Sequence, residues 1–113
     1  MSVTTIAEVQ SLIQSFVHER DWEVFHRPRS LAIAIAVEAA ELLDELKWIA
    51  DDEIEEPLQA DLANRLKDEL ADVTILCLAF FNRLEQDAGE AIVQKVAGNA
   101  KKYPVELFKG RWR

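Results

Sequence analysis

Acidic residues stand inside two apolar helical segments, and their placement constrains the fold of this chain more than any other feature. The first segment, LAIAIAVEAAELLDELKW, holds Glu38, Glu41 and Glu45, and the second, LKDELADVTILCLAFF, holds Glu69 and Asp72. Residues three, four or seven apart share one face of a helix, so each segment gathers its acids on one side. Burying several carboxylates close together is costly unless their charge is balanced. Basic side chains, raised pKa values and metal ions are the possible compensations, and a solvated polar face is the simpler alternative.

The spacing of apolar residues predicts four helices and no strand. The predicted helices cover about residues 5–20, 30–49 and 58–85, and a fourth runs from a turn near Gly89 to just before Pro104. Thr5 and Glu8 form a capping-box pattern at the first start, and Ser30 is the predicted N-cap of the second helix. Proline cannot continue a helix, which sets the end of the fourth.

The segments between these helices are short. Residues 21–29 are predicted to form an ordered loop, residues 51–57 an acidic, solvated connector, and the residues after about 105 an irregular tail. Four helices with short links predict an all-α four-helix bundle. We expect one domain over residues 1–113, with a core over about residues 5–105.

The charge balance restricts the partners of the chain. Among its 113 residues 13 are basic and 21 acidic, which gives a net charge of −8. A surface of this sign repels phosphate backbones and argues against a nucleic-acid partner.

Cysteine use and hydropathy restrict the compartment. Cys77 lies between two leucines and has no partner for an internal disulfide, as is typical of a buried thiol in the reducing cytoplasm. The first ten residues, MSVTTIAEVQ, lack the pattern of a signal peptide. The longest apolar run, Leu31 to Val37, is too short to cross a membrane. We therefore expect a cytoplasmic protein without a membrane partner.

Hard divalent cations fit the paired acids better than the other compensations. Mg²⁺ takes oxygen ligands and keeps waters that a substrate phosphate can displace, and two facing acid pairs can hold two ions about 4 Å apart. Ferritin-like di-iron sites use Glu-x-x-His pairs, whereas His18 and His26 do not stand three residues after any of these acids. The pattern therefore predicts Mg²⁺, or Mn²⁺, acting on phosphate. The predicted ligands are Glu38, Glu41, Glu69 and Asp72.

These motifs resemble a known family. Glu38-x-x-Glu41, followed after 27 residues by Glu69-x-x-Asp72, resembles the all-α nucleoside triphosphate pyrophosphohydrolases of the MazG-like group. Within that group the chain is similar to the dCTP pyrophosphatase branch. The stretches that carry this similarity are Glu19-Arg20-Asp21-Trp22, Phe25-His26-x-Pro28-Arg29-Ser30-Leu31, Trp48, and Lys95-x-x-x-Asn99-x-x-Lys102-Tyr103-Pro104. Together they cover about residues 5–105.

The resemblance implies an activity and a set of site residues. It implies Mg²⁺-dependent hydrolysis between the α- and β-phosphates of a nucleoside triphosphate, giving monophosphate and pyrophosphate, with dCTP or modified cytosine nucleotides as substrates in nucleotide-pool cleansing. It also implies a homodimer or homotetramer with sites completed near subunit interfaces. Glu38, Glu41, Glu69 and Asp72 match the family's metal ligands. From the chemistry of hydrolysis we also predict Glu41 and Glu38 as catalytic residues, with Glu41 the candidate to hold or deprotonate the attacking water. The matched substrate-binding residues are Trp22, His26, Arg29, Trp48, Lys95, Asn99 and Lys102.

Two departures from the branch bear on the preferred base. Leu76 stands where the branch often has a tyrosine, and Ile13 where it can carry a histidine. Both positions face the nucleoside pocket in the family. Glu45 is either an outer ligand of the metal centre or an outward-facing residue. For the other matched residues there is a simpler interpretation. Trp22 and Trp48 would then be core residues, and the lysines and arginines would be solvated.

Two rival functions remain open at this stage. A catalytically silent helical module would bind a nucleotide or a protein without turning it over. A phosphoribosyl-ATP hydrolase shares the metal ligands but not the segment around Trp22 and His26.

Overall fold

The computed structural model describes residues 4–54 and 58–111, and within those ranges the chain is helical with no strand. The long helices are α1 (Ile6–Glu19), α2 (Pro28–Asp44), α3 (Ala60–Arg83) and α4 (Ala88–Lys102), and one further helical turn is α5 (Val105–Phe108). Short 3-10 helices occupy Trp22–Phe25 and Asp51–Glu53. The predicted all-α class and the four long helices are confirmed. Residues 55–57 of the predicted acidic connector lie outside the described residues.

The start of α1 follows the sequence signal. The Thr5 hydroxyl accepts a hydrogen bond from the Glu8 backbone N–H at 3.1 Å, and the Glu8 carboxylate accepts one from the Thr5 N–H at 3.4 Å. Together they satisfy two backbone donors that a helix start otherwise leaves unpaired. The capping-box prediction is confirmed.

The bounds of α2 differ from the prediction. Arg27 is the N-cap and Pro28 the first helical residue, so Ser30 lies inside the helix and is not its cap. Proline suits this position because its fixed φ is helical and its missing N–H would have no partner there. The regular helix ends at Asp44 and not near residue 49, and turns continue the chain to Trp48. Between α1 and α2 the predicted loop contains one 3-10 helix, Trp22–Phe25.

The carboxyl-terminal region is more ordered than predicted. Asp87 caps α4 by accepting a hydrogen bond from the Glu90 N–H at 2.7 Å, so Gly89 lies in the first turn of α4. The prediction of a wholly irregular tail is wrong, because α5 begins directly after Pro104. The Tyr103 and Phe108 rings pack edge to face at 5.2 Å between centroids and stabilise this turn.

Helix α3 is the central element of the fold. Its first half packs against α2, and its second half packs against α1, which in turn contacts the start of α4. The core lies where α1, α2, α3 and the start of α4 meet. Its buried members are Ile13, Val17, Leu31, Leu78, Ala79 and Ala88. Because α2 and α3 run antiparallel, a core at Leu31 and Leu78 places the middle of α2 opposite the acids of α3.

The single chain is open. Its radius of gyration is 17.2 Å, whereas a compact domain of this length would have about 13 Å. Many large apolar side chains of α2, α3 and α4 are exposed, among them Val37, Ile75 and Val93. None of the helices in the described part of the chain is both long and apolar enough to cross a membrane.

Truncating the central core side chain should destabilise the whole domain. Leu31 is 2% exposed and packs where α1, α2 and α3 meet, so we expect Leu31→Ala to lower the free energy of unfolding by about 2–5 kcal/mol. Urea denaturation followed by circular dichroism measures this change. Leu107→Ala, at an exposed leucine of α5, is the matched control and should change stability by less than about 0.5 kcal/mol. Equal effects of the two substitutions would contradict the assigned core.

Candidate active site

Three carboxylates meet where α2 crosses the first half of α3. Glu38 and Glu41 lie one turn apart on α2, and Glu69 faces them from α3. One oxygen from each of the three lies within 4.8 Å of the others. The two helices that carry the predicted acid pairs therefore bring Glu38, Glu41 and Glu69 together.

Two oxygens of this cluster are shielded without a partner. Glu38 Oε2 and Glu69 Oε2 are buried and form no hydrogen bond within the described ranges. Buried polar atoms in proteins nearly always have a partner, since desolvating them otherwise costs free energy. Two such oxygens in one cluster indicate that a cationic or protonated partner belongs between them.

The electrostatics of the cluster agree with this shortage of positive charge. A hydrogen bond to Glu41 raises the pKa of Glu38, and so do desolvation and the negative charges of Glu41, Asp72 and Glu69. Desolvation raises the pKa of Glu69, followed by the charges of Glu41, Asp72 and Glu45. The neighbouring negative charges therefore oppose ionisation of Glu38 and Glu69, and without a cation these two carboxyl groups hold protons more tightly than isolated glutamates do.

The donor set suits a hard divalent cation. All the atoms offered are carboxylate oxygens, which Mg²⁺ and Mn²⁺ prefer, and no histidine or cysteine belongs to the cluster. Asp72 is exposed and lies outside the closest group of three, although its charge acts on both Glu38 and Glu69. Three of the four predicted metal ligands are thus brought together, with the fourth alongside.

An ion pair between α2 and α3 borders the cluster. The Arg65 Nε donates to Glu45 Oε2 at 2.7 Å, and the Glu45 side chain is largely covered. Glu45 is therefore not an outward-facing residue, and its charge is matched locally by Arg65. The sequence places Arg65 among the few basic residues near these acids, but no motif connects it with Glu45, which lies 20 residues away.

A cavity of about 480 Å³ lies between α1, the segment before α2 and the second half of α3. Its floor is apolar, with Ile13, Val17 and Ala79, and Asn82 adds a polar group. His26 and Arg27 line its side. The sequence therefore predicted two of the residues that meet here, Ile13 and His26, from distant parts of the chain.

A hydrogen bond between a histidine and a carboxylate lies at the rim of this cavity. His18 Nδ1 lies 2.7 Å from Glu23 Oε1. A backbone hydrogen bond lowers the pKa of Glu23, and the hydrogen bond with His18 lowers it further. The pair joins the end of α1 to the 3-10 helix that leads to His26, so it helps to shape the cavity wall.

The other aromatic and basic residues predicted for the site lie elsewhere in the single chain. Trp22 is 41% exposed and packs edge to face on Phe16 at 5.6 Å, away from the cavity lining. Trp48 is 86% exposed beside Lys47. Arg29 is exposed in the first turn of α2. Neither tryptophan is a core residue of its own chain.

The predicted phosphate-binding residues lie on α4. Lys95, Asn99 and Lys102 are spaced four and three apart, which places them on one exposed face of that helix. None of them belongs to the carboxylate cluster or to the cavity lining. Leu76 is partly buried and packs against the core, also outside the lining of the cavity.

Sequence reasoning missed two amide side chains beside the cavity. Gln10 is 7% exposed and hydrogen-bonds to Asn82, which lines the cavity. A signal for Gln10 was present, since it shares the apolar face of α1 with Ile13 and Val17, where a polar residue needs a partner. Nothing in the sequence indicated which residue that partner would be.

Comparison with protein families matches residues 33–111 to the MazG-like family. Curated relatives include dCTP pyrophosphatase 1 of Rattus norvegicus, 36% identical over 107 residues, which are 94% of this chain and 63% of the relative. The human dCTP pyrophosphatase 1 is 34% identical over an alignment of 113 positions that covers 96% of this chain and 65% of that protein. The chain thus spans less than two thirds of the length of these relatives.

A solved structure has a similar fold. The crystal structure of a pyrophosphatase from Archaeoglobus fulgidus superposes with a TM-score of 0.79 at 29% sequence identity. The match covers 92% of this chain and 96% of the archaeal one, so nearly the whole helical arrangement is shared.

Neutralising one acid of the cluster should stabilise the metal-free protein. The pKa of Glu69 is raised in the fold above its ordinary value of 4.5, so the fold binds a proton more tightly than the unfolded chain does. Stability contributed by this proton is present at low pH and is lost as the pH rises through the raised pKa. We therefore expect Glu69→Gln in EDTA to melt at a higher temperature than the wild type at pH 7, with the difference vanishing towards pH 4.

Thermal denaturation across this pH range provides the measurement. Asp68→Asn removes the same charge from an exposed neighbour on α3 that is not among the groups acting on Glu38 or Glu69, and it should leave the wild-type pH dependence unchanged. If both variants followed one curve, the repulsion assigned to the cluster would be wrong.

Proposed function

This chain belongs to the MazG-like family, and from that premise we propose that it hydrolyses nucleoside triphosphates to the monophosphate and pyrophosphate. The preferred substrate is dCTP or a modified cytosine nucleotide, and the role is to cleanse the nucleotide pool. The observation that carries the proposal is the pair of buried, unpartnered oxygens of Glu38 and Glu69 on facing helices. The names of the curated relatives and of the archaeal pyrophosphatase support it.

The carboxylate cluster is the metal centre in this proposal. Glu38, Glu41 and Glu69 would hold Mg²⁺, or Mn²⁺ in its place, and Asp72 would complete the set. When bound, such an ion acidifies a water molecule and neutralises charge on the phosphates. The ion pair with Arg65 keeps Glu45 beside this set without adding another free negative charge.

Glu41 is the proposed general base. Unlike Glu38 and Glu69 it is exposed, so its carboxylate can reach a water molecule at the mouth of the cluster. A carboxylate there can orient that water and accept its proton as the oxygen attacks the α-phosphorus. Glu38, one turn earlier and more covered, holds the opposite side of the cluster in place.

The cavity next to α1 is the proposed nucleoside pocket. Its apolar floor at Ile13 and Ala79 suits the face of a flat ring, and His26 offers a polar group at its side. Arg27 is the N-cap of α2 and Arg29 lies in its first turn. Both would supply positive charge for the phosphates. An isoleucine at position 13 cannot hydrogen-bond a base edge, so polar recognition depends on other residues.

A second copy of the chain would complete the site. Trp48, Trp22 and the α4 residues Lys95, Asn99 and Lys102 are exposed and lie outside the cavity and the cluster of their own chain. The open shape and the exposed apolar side chains of α2 to α4 support association as a homodimer or homotetramer. Association would bring these aromatic and basic side chains to a neighbouring cluster.

A substrate panel tests the activity. We expect the protein with Mg²⁺ to convert dCTP to dCMP and pyrophosphate faster than the other canonical triphosphates, as measured by chromatography of the products. Thermal shifts with and without Mg²⁺ give an independent readout, because a ligand that binds the native state raises the melting temperature. Nucleotide binding without product on every canonical and cytosine-modified triphosphate would instead identify a silent binding module.

Removing a cluster carboxylate should weaken metal binding and reduce turnover. We expect Glu38→Gln to lower kcat/KM by about 100-fold or more and to weaken the Mg²⁺-dependent thermal shift. Asp68→Asn is the matched control and should retain both. Wild-type turnover by Glu38→Gln would contradict the assignment of the cluster.

Trp48 should matter for turnover and not for the stability of its own chain. Because its side chain is 86% exposed, Trp48→Ala removes almost no packing within the chain. We expect kcat/KM to fall about tenfold or more through loss of an aromatic contact with substrate. Kinetics together with the mass in solution by light scattering would show whether the loss follows from the site or from dissociation, and wild-type kinetics in an intact oligomer would refute the role.

A further inference from the structure

Gln10 joins α1 to the turn between α3 and α4 through its side-chain amide, whose oxygen and both N–H groups form hydrogen bonds. Its Nε2 donates to the Gln86 carbonyl oxygen and to Asn82 Oδ1, both at 3.0 Å. Its Oε1 accepts from the Ala88 N–H at 2.9 Å. The two backbone groups fix the sense of this amide, because the reversed amide would set oxygen against the Gln86 oxygen and N–H against the Ala88 N–H.

The fixed amide of Gln10 in turn fixes that of Asn82. Asn82 Oδ1 accepts from Gln10 Nε2, and Asn82 Nδ2 donates to the Gln10 carbonyl oxygen at 2.9 Å. A reversed Asn82 amide would oppose two donors to each other and two oxygens to each other. Two amides that normally flip easily are therefore held in one sense by the backbone of the α3–α4 turn.

Part of the Asn82 amide remains for a ligand. An asparagine amide has two N–H donors and two acceptor sites, and the contact with Gln10 uses one of each. Asn82 lines the cavity together with Ala79 and Ile13. Within the described residues, one N–H of Nδ2 and one acceptor site of Oδ1 therefore have no other protein partner, and the contact with Gln10 keeps these two atoms from exchanging places.

We propose that the Gln10–Asn82 pair is a specificity determinant, with which the cavity distinguishes amino-bearing from oxo-bearing pyrimidines. Cytosine presents an amino donor next to a ring acceptor, whereas uracil presents a carbonyl acceptor next to a ring donor. A free amide can turn over and match either edge, but an amide of fixed sense matches only one. This inference rests on the proposed function, which places the nucleoside in the cavity.

The position of Asn82 fits this task. On α3 it lies ten residues after Asp72, about 15 Å along the helix axis. A nucleotide whose phosphates sit at the carboxylates and whose base enters the cavity would point its far edge, which carries the amino or oxo group, towards Asn82. The charged residues of the lining, Glu23, Arg27, Arg83 and Glu85, are exposed, so water competes for their hydrogen bonds.

The test compares dCTP with dUTP, which differ at that edge. Wild type should favour dCTP, and Asn82→Ala should reduce the ratio of the two kcat/KM values about tenfold or more. Gln10→Ala should also reduce the ratio, because it leaves Asn82 in place but free to turn. Asn64→Ala changes an exposed asparagine on the same helix and should leave the ratio unchanged. An equal loss of kcat/KM on both substrates, with the ratio unchanged, would overturn the proposal. The Gln10–Asn82 contact would then have only a structural role.

An NMR measurement on the wild-type protein does not depend on how the variants fold or on turnover. The Asn82 side-chain amide signals should shift on titration with dCMP and respond differently to dUMP. If the wild type hydrolyses no nucleotide but these shifts occur, the proposed activity is wrong, while the proposed recognition of the base by Asn82 is supported. If the Asn82 signals respond equally to both monophosphates or to neither, the specificity role is refuted even where turnover is observed.

Discussion

Mutual repulsion of carboxylates across the contact between α2 and α3 is the constraint on which the rest of the structure depends. This contact is the most extensive in the chain, yet it places Glu38, Glu41 and Glu69 side by side with two oxygens shielded and unpaired. Such an arrangement raises the free energy of the empty fold, so the apolar packing near Leu31 and Leu78 must hold the helices together against it. A bound cation would turn the same contact from a strained one into a stabilised one.

The open shape of the chain follows from how its helices pack against one another. Helix α3 packs against α2 with its first half and against α1 with its second half, and the start of α4 contacts α1. The remainder of α4 and the outer face of α2 therefore keep apolar and basic side chains in the open. A chain whose core holds so few fully buried residues gains most from covering these faces with a second copy.

Local signals predicted the fold, and the site only in part. Capping at Thr5, the break at Pro104 and the spacing of apolar residues are properties of short stretches, so four helices could be read directly. The acid pairs predicted the cluster, because each pair is fixed by the geometry of one helix. The Glu45–Arg65 pair and the Gln10–Asn82 contact join residues 20 and 72 positions apart, and no local pattern records which helices meet. The bounds of α2 were misjudged because proline as a first helical residue outweighed the serine two places later.

In the proposed reaction, selectivity for a base cannot come from a metal centre that would contact phosphates common to all nucleotides. It would have to come from groups that contact the base, and the proposed nucleoside cavity has few of them away from water. Ile13 offers no hydrogen bond, and Leu76 is apolar and lies outside the lining. Among the residues of α3 that line the cavity, Asn82 is then the neutral polar one. Its value for recognition depends on Gln10, because an amide reads one edge only when something else decides which way it faces.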